Sequence, residues 1–231
     1  MLNRLTQLLL DSKSFFSESW LKNNGAFFEE DNLYAFSYNC LAFHKNGLPQ
    51  NRQKPLFVEE VTPQLDVPFS SFKTIISRLE ANSFANTLLN KEALSSGIQN
   101  APFEHILLIM GQRQTPATIK NAKGLPMSKK SMLNNALKPF NNQISVGVRA
   151  WEKHTERSED NFWGNVKGSP LAKVETVKSI IANMINNYTW WNTFYHYKHD
   201  IVFEIRVESG HGMRWSKTDG KLIGFLEPFI N

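Results

Sequence analysis

The sequence predicts an α+β fold: mixed helices packed on an antiparallel sheet and ending in a three-stranded β-meander. Three observations carry this expectation. Near the C-terminus Ile201, Phe203, Ile205 and Val207 alternate with Val202, Glu204, Arg206 and Glu208, the two-residue period of a strand with one face in the core. Gly210-His211-Gly212 and Thr218-Asp219-Gly220 then set off two further short runs, 213–217 and 221–227, as hairpin turns would. Ahead of them, Ser169-Pro170 opens a segment with Leu171, Val174, Val177, Ile180, Ile181 and Met184 at helical spacing, with proline at the first helical position where its missing N–H costs nothing.

Taken from the start, Leu2, Leu5, Leu8, Leu9, Phe15, Phe16 and Trp20 predict an amphipathic helix of about 20 residues, closed by Asn23-Asn24-Gly25. Residues 26–29 and 33–44 read as strands, because Tyr34, Phe36 and Tyr38 alternate with smaller residues; residues 56–61 read as a third. Ser70 and Ser71 are placed to cap a helix to about residue 82, and a second helix covers about 84–94 and stops near Ser95-Ser96-Gly97. The apolar run 103–110 is taken as a strand, although a buried helical turn has the same pattern. Ser128 is expected to cap a short helix that Pro139 ends. Residues 144–151 return to strand character, and a charged loop continues through Asp160. The domain expectation is an N-terminal α+β region over 1–110, a basic linker or arm over 111–143, and a C-terminal helix plus meander over 144–231, with one continuous domain as the alternative.

Composition narrows the function classes. With 231 residues, 41% of them hydrophobic and 20% charged, the chain has ordinary globular values. No apolar run is long enough to cross a bilayer, and no secretory signal pattern is present. Cys40 is the single cysteine, so no internal disulfide or thiolate cluster can form. These features predict a cytoplasmic chain with no membrane partner, no cofactor and no metal. No P-loop or zinc-finger spacing occurs, no serine sits in a nucleophile elbow, and Cys40 lies in apolar surroundings that do not activate a thiol.

The net charge of +5 is regional. Between Glu104 and Glu152 there is no acidic residue, while Arg113, Lys120, Lys123, Lys129, Lys130, Lys138 and Arg149 all fall there. Clustered cations bind phosphate backbones by counterion release, so these seven are the candidate nucleic-acid-binding residues; a solvated, flexible loop is the alternative. A second candidate is the aromatic group Trp190, Trp191, Phe194, Tyr195 and Tyr197, suited either to stacking unpaired bases or to filling a core. The third is the polar set around the meander, which includes His196, His199, Asp200, Glu204, Arg206, Glu208, His211 and Arg214. His196 and His199 have a ligand-like spacing. Asp200 with Glu204-Ile205-Arg206 resembles the acidic-residue and cation arrangement of metal-dependent nucleases, with Arg where Lys is expected. From this set His199, Glu204, Arg206, His211 and Arg214 are the candidate catalytic residues, and a cross-strand salt-bridge ladder explains the same residues without catalysis.

Gly210-His211-Gly212-Met213-Arg214-Trp215, together with Gly224-Phe225-Leu226-Glu227-Pro228, resembles a C-terminal motif of uncharacterised bacterial and phage-type proteins. Residues 33–39 are similar to an early strand of small phage and mobile-element proteins. The resemblance implies a genomic neighbourhood and no residue roles. The leading expectation is therefore a non-enzymatic phage or mobile-element accessory protein that binds nucleic acid or another polyanion through 113–149. The alternatives are a metal-dependent hydrolase or nuclease working from the polar face of the meander, and an interaction or assembly component with a protein partner or a second copy of itself.

Overall fold

The computed structural model describes residues 1–158 and 161–229 of the chain. The chain divides into two compact units. The first takes in Met1–Arg52, Val61–Gln114 and Ile119–Leu125; the second takes in Gln53–Glu60, Thr115–Thr118 and the chain from Pro126 onward.

The first unit is helical, with α1 (Leu2–Asp11), α2 (Glu18–Asn24), α3 (Glu30–Asn46), α4 (Asp66–Ala81), α5 (Leu88–Asn100) and α6 (Phe103–Ile109). Several expectations are corrected here, including the strand over 26–29, where Gly25–Phe28 forms a turn of 3-10 helix. The long N-terminal helix is broken after Asp11, and Ser17 caps a separate α2 by accepting from the Trp20 N–H at 3.3 Å. The strand expected over 33–44 is the helix α3. Its buried residues Leu33, Phe36, Ser37 and Cys40 recur at helical spacing, whereas Tyr34 and Tyr38 lie exposed and stacked one turn apart. The strand expected over 103–110 is the helix α6, buried on four successive residues from Ile106 to Ile109. A run buried on every side hides the period that separates helix from strand. Residues 56–61 form no strand either, and α5 runs through Ser95-Ser96-Gly97 instead of stopping there. The core joins Leu5, Leu8 and Leu9 to Phe27, Phe36, Phe72 and Ile76, with edge-on ring contacts of 5.4 Å for Phe27–Phe36 and 5.1 Å for Phe36–Phe72.

The second unit holds α7 (Lys129–Ala136), α8 (Val146–Thr155), α9 (Pro170–Asn187) and a four-stranded antiparallel sheet in the order β1 (Trp190–His196), β2 (Asp200–Arg206), β3 (Gly212–Ser216), β4 (Leu222–Leu226). Each helix starts at a serine that accepts a backbone N–H three residues on: Ser128 from Ser131, Ser145 from Val148 and Ser169 from Ala172. Ser145 thus opens a helix where the sequence predicts a strand over 144–151. The charged loop expected through Asp160 ends outside the described residues. The α+β class holds, and the meander is present, with β1 preceding it as a fourth strand. Residues of odd number, Trp191, Phe203, Ile205, Met213, Trp215 and Phe225, form one buried face of the sheet. That face meets the helices, as the contacts of Phe225 with Trp163 at 4.8 Å and with His154 of α8 at 6.1 Å show. The opposite face sets Asn192, Glu204, Arg206 and Arg214 among Trp190, Phe194 and Val202.

Among the described residues no helix is long and apolar enough to cross a membrane.

Candidate active site

Strand alternation sends even-numbered residues to the face away from the helices. The register then aligns them across the sheet: Asn192 pairs with Glu204, Glu204 with Arg214, and Arg214 with Gly224, while Trp190 pairs with Arg206 and Arg206 with Gly212. Glu204, 1% exposed, is the centre. Its Oε1 accepts from Arg206 Nε at 2.6 Å, and its Oε2 accepts from Arg214 Nε at 2.7 Å and lies 2.6 Å from Arg214 Nη2. One buried carboxylate thus holds two guanidinium groups, which is the condition under which buried charge is tolerated.

The two arginines have different surroundings. Arg206 is 4% exposed. Its Nη1 donates to the carbonyls of Gly210 at 2.6 Å and Glu227 at 2.8 Å, and its guanidinium lies 3.8 Å from the centre of the Phe229 ring. Burial pushes the Arg206 guanidinium below its ordinary range, against the upward pull of Glu204. Arg214 keeps 18% of its side chain in solvent and lies 5.6 Å over the Phe194 ring. The residue across from it, Gly224, has nothing within 4 Å of where a Cβ would stand. Arg214 is therefore the cation of this cluster that an incoming anion can reach.

His196 shares this face, two pleats along β1 from Asn192. Its imidazole is pushed below the ordinary 6.5, first by burial, then by the charges of Arg214 and His199, with Glu204 opposing them. Its Nδ1 accepts the Lys198 backbone N–H at 3.2 Å, so the neutral ring carries its proton on Nε2. Asn192 is fully buried; its Nδ2 donates to Thr118 Oγ1 at 2.8 Å.

Of the five residues singled out from the sequence as catalytic, the structure brings Glu204, Arg206 and Arg214 into one hydrogen-bonded group. His199 stands in the β1–β2 turn with its ring 5.0 Å from that of His196. His211 has the opposite parity and lies on the helix side of the sheet. There it stacks on Phe162 at 3.6 Å, shares a 2.9 Å hydrogen bond with Ser209 Oγ, and lies 3.3 Å from Glu227, which also holds His154 at 2.6 Å. Asn192 and His196 are not among the five. Their signal in the sequence is parity, since both are even-numbered in a strand that pairs with β2. Among the described residues no group of three or more His, Cys, Asp or Glu side chains could hold a metal ion.

The seven basic residues are divided between the units. In the first, Arg113 is buried, Lys120 pairs with Glu104 at 2.8 Å, and Lys123 is exposed. In the second, Lys129 and Lys130 are exposed in the first turn of α7, Lys138 is exposed after its end, and Arg149 on α8 lies 5.8 Å over Phe140.

Residues 133–227, less than half of the chain, match the model of a family described as the CdiA C-terminal tRNase toxin domain. No curated protein and no solved structure matches the chain. The family match overturns the expectation of a non-enzymatic accessory protein, and nothing supports the phage or mobile-element setting. A nuclease toxin is the reading to which the match points, closer to the alternative placed on the meander's polar face. That face, with His196, Glu204, Arg206 and Arg214, lies wholly inside the matched segment.

Proposed function

We propose that the second unit is a toxin-type ribonuclease that cleaves tRNA, with the Glu204 cluster as its active site. The observation that carries this reading is one buried carboxylate and two arginines, of which Arg214 reaches solvent, joined on the sheet face away from the helices inside a segment similar to a tRNase toxin domain. RNA carries its own nucleophile, so cleavage needs a proton acceptor at the 2′-hydroxyl, positive charge at the non-bridging phosphate oxygens and a proton donor at the leaving oxygen. Arg214, with Arg206 behind it, supplies the charge. Glu204 Oε2 is engaged by both Nε and Nη2 of Arg214, while Oε1, which accepts from Arg206 Nε, retains a second lone pair to take the 2′-hydroxyl proton. The O2′–P bond forms, the P–O5′ bond breaks, and His196 in its imidazolium form gives O5′ its proton. The products are a 2′,3′-cyclic phosphate and a 5′-hydroxyl, and each proton and charge in the scheme is handled by one of these side chains.

The test is incubation of the full chain with total tRNA, with end-group analysis of the fragments. Cyclic phosphate ends are expected from the wild-type chain. Glu204→Gln and Arg214→Ala are expected to slow cleavage by about 10²–10⁴-fold, the range for losing a positioned proton-transfer group or a charge stabiliser. Cleavage unaffected by both substitutions would remove this face from consideration.

A further inference from the structure

We propose that the polar face also carries a subsite for an unpaired nucleobase of the RNA, and that Phe57 of the chain itself occupies that subsite; the proposal rests on the ribonuclease reading. The subsite lies at the Arg206 end of the face. Trp190 is paired with Arg206 across the sheet, and the Phe229 ring lies under the Arg206 guanidinium and 6.1 Å from the Trp190 ring. Phe57 packs beside both, 4.5 Å from Phe229 at an interplanar angle of 31° and 5.6 Å from Trp190 at 75°. Two aromatic rings and a guanidinium plane are the surfaces on which proteins stack unpaired bases.

Phe57 has no side-chain hydrogen-bonding group, whereas Trp190, against which it lies, and Asn192, two residues further along the same strand face, each have one to spare. Trp190 Nε1 and Asn192 Oδ1 are both buried with no hydrogen-bond partner among the described residues, although their side chains are 1% and 0% exposed. A buried donor and a buried acceptor left unpaired are costly. A nucleobase edge offers both an acceptor and a donor in one plane and would satisfy the pair; a phenyl ring satisfies neither. Asn192 stands directly across from Glu204, so a base held there is next to the phosphate that Arg214 reaches.

The occupant is also borne on irregular backbone. Phe57 belongs to Gln53–Glu60, a strap without helix or strand that lies outside the matched 133–227 segment. Lys54 anchors it by accepting from Thr189 Oγ1 through its carbonyl. A cavity of about 260 Å³, lined by Lys54, Leu56, Glu208, Ser209 and Phe229 among others, remains beside it. The strap therefore acts as a stand-in for substrate, and RNA must displace it to bind.

The test uses the full chain and two RNA probes, a tRNA for turnover and a labelled 2′-O-methyl oligonucleotide, which cannot use its own hydroxyl, for binding by anisotropy. Phe57→Ala and Phe57→Leu are compared with wild type, each checked for an unchanged melting profile. The expected result is at least threefold tighter oligonucleotide binding and an equal fall in KM with kcat unchanged. Adding Asn192→Leu to Phe57→Ala should remove that gain. Unchanged or weaker binding by whichever Phe57 variant keeps the wild-type melting profile overturns the subsite; if cleavage still depends on Arg214, the ribonuclease reading survives that result. Tighter binding by the Phe57 variants with no cleavage by any chain supports the subsite and sinks the ribonuclease reading instead.

Discussion

His196 sits at a crossing of three fields, and its titration gives the site a pH signature. Burial, Arg214 and His199 all disfavour its charged form, and Glu204 alone favours it. Its pKa is therefore below the ordinary 6.5, and the imidazolium is lost as pH rises through that lowered value. If the imidazolium protonates the leaving oxygen, the cleavage rate must fall on the alkaline side with a midpoint below 6.5, and a pH–rate profile of wild type should show this limb. His196→Ala should lower the rate and abolish the limb; an unaltered limb would assign it to another group. The same strand residues show what the sequence makes legible. Glu204, Arg206 and Arg214 can be grouped from sequence, because strand parity and a short hairpin put them on one face. His211 joins them by residue type alone, although it precedes β3 and its ring lies 5.6 Å from that of Trp163 on the helix side. Parity is the better guide than chemistry.

At the scale of the element, the site depends on a strand that gives up a side chain. Gly224 in β4 faces Arg214, and a Cβ built there meets nothing within 4 Å. Its φ lies outside the left-handed region, so a branched residue fits the backbone. Gly224→Val is expected to leave the melting temperature within a few degrees of wild type, since no contact is broken, while filling the approach to Arg214. A rise in KM for tRNA with little change in stability would confirm that phosphate enters beside β4; unchanged kinetics would place the entry elsewhere. Gly212 is the contrasting case, because a Cβ there would lie 2.5 Å from the Ile205 carbonyl and 2.7 Å from Arg206 Cγ. The elements themselves are unevenly legible. The capped helices at Ser128 and Ser169 and the alternating β2 can be read directly. Helices α3, α6 and α8 cannot, because their apolar residues are interrupted by exposed aromatics in α3, consecutive in α6, and at strand-like spacing (Val146, Val148, Ala150) in α8, and short apolar runs do not declare a period. Strand β1 stands out as an aromatic cluster but not as a strand: Trp190, Trp191, Asn192 and Thr193 are buried on both faces, which erases alternation.

For the whole molecule, the regional charge is the property whose meaning the fold changes most. Seven cations in an acid-free stretch read as one patch in the sequence, yet three of them belong to the first unit and four to the second. Arg113 is buried and Lys120 is paired with Glu104, so neither is disposed to release counterions on meeting RNA. Lys129, Lys130 and Lys138 are exposed within the second unit, and the first two stand at the N-terminal end of α7, where backbone N–H groups add partial positive charge. If these lysines hold the RNA backbone while the sheet does the chemistry, their removal must act through salt-dependent binding. Affinity for the uncleavable oligonucleotide, measured over a salt series, should give a log–log slope that falls by roughly 0.7 for each lysine neutralised. The double variant Lys130→Gln, Lys138→Gln is thus expected to lose about 1.4 from the slope and to raise KM without lowering kcat. Lys120→Gln is the internal control, because its charge is already spent on a carboxylate, and its slope should match wild type. A double variant with the wild-type slope would show that the second unit engages RNA through the Arg214 face alone, and that the basic stretch serves the fold's solubility instead of its substrate.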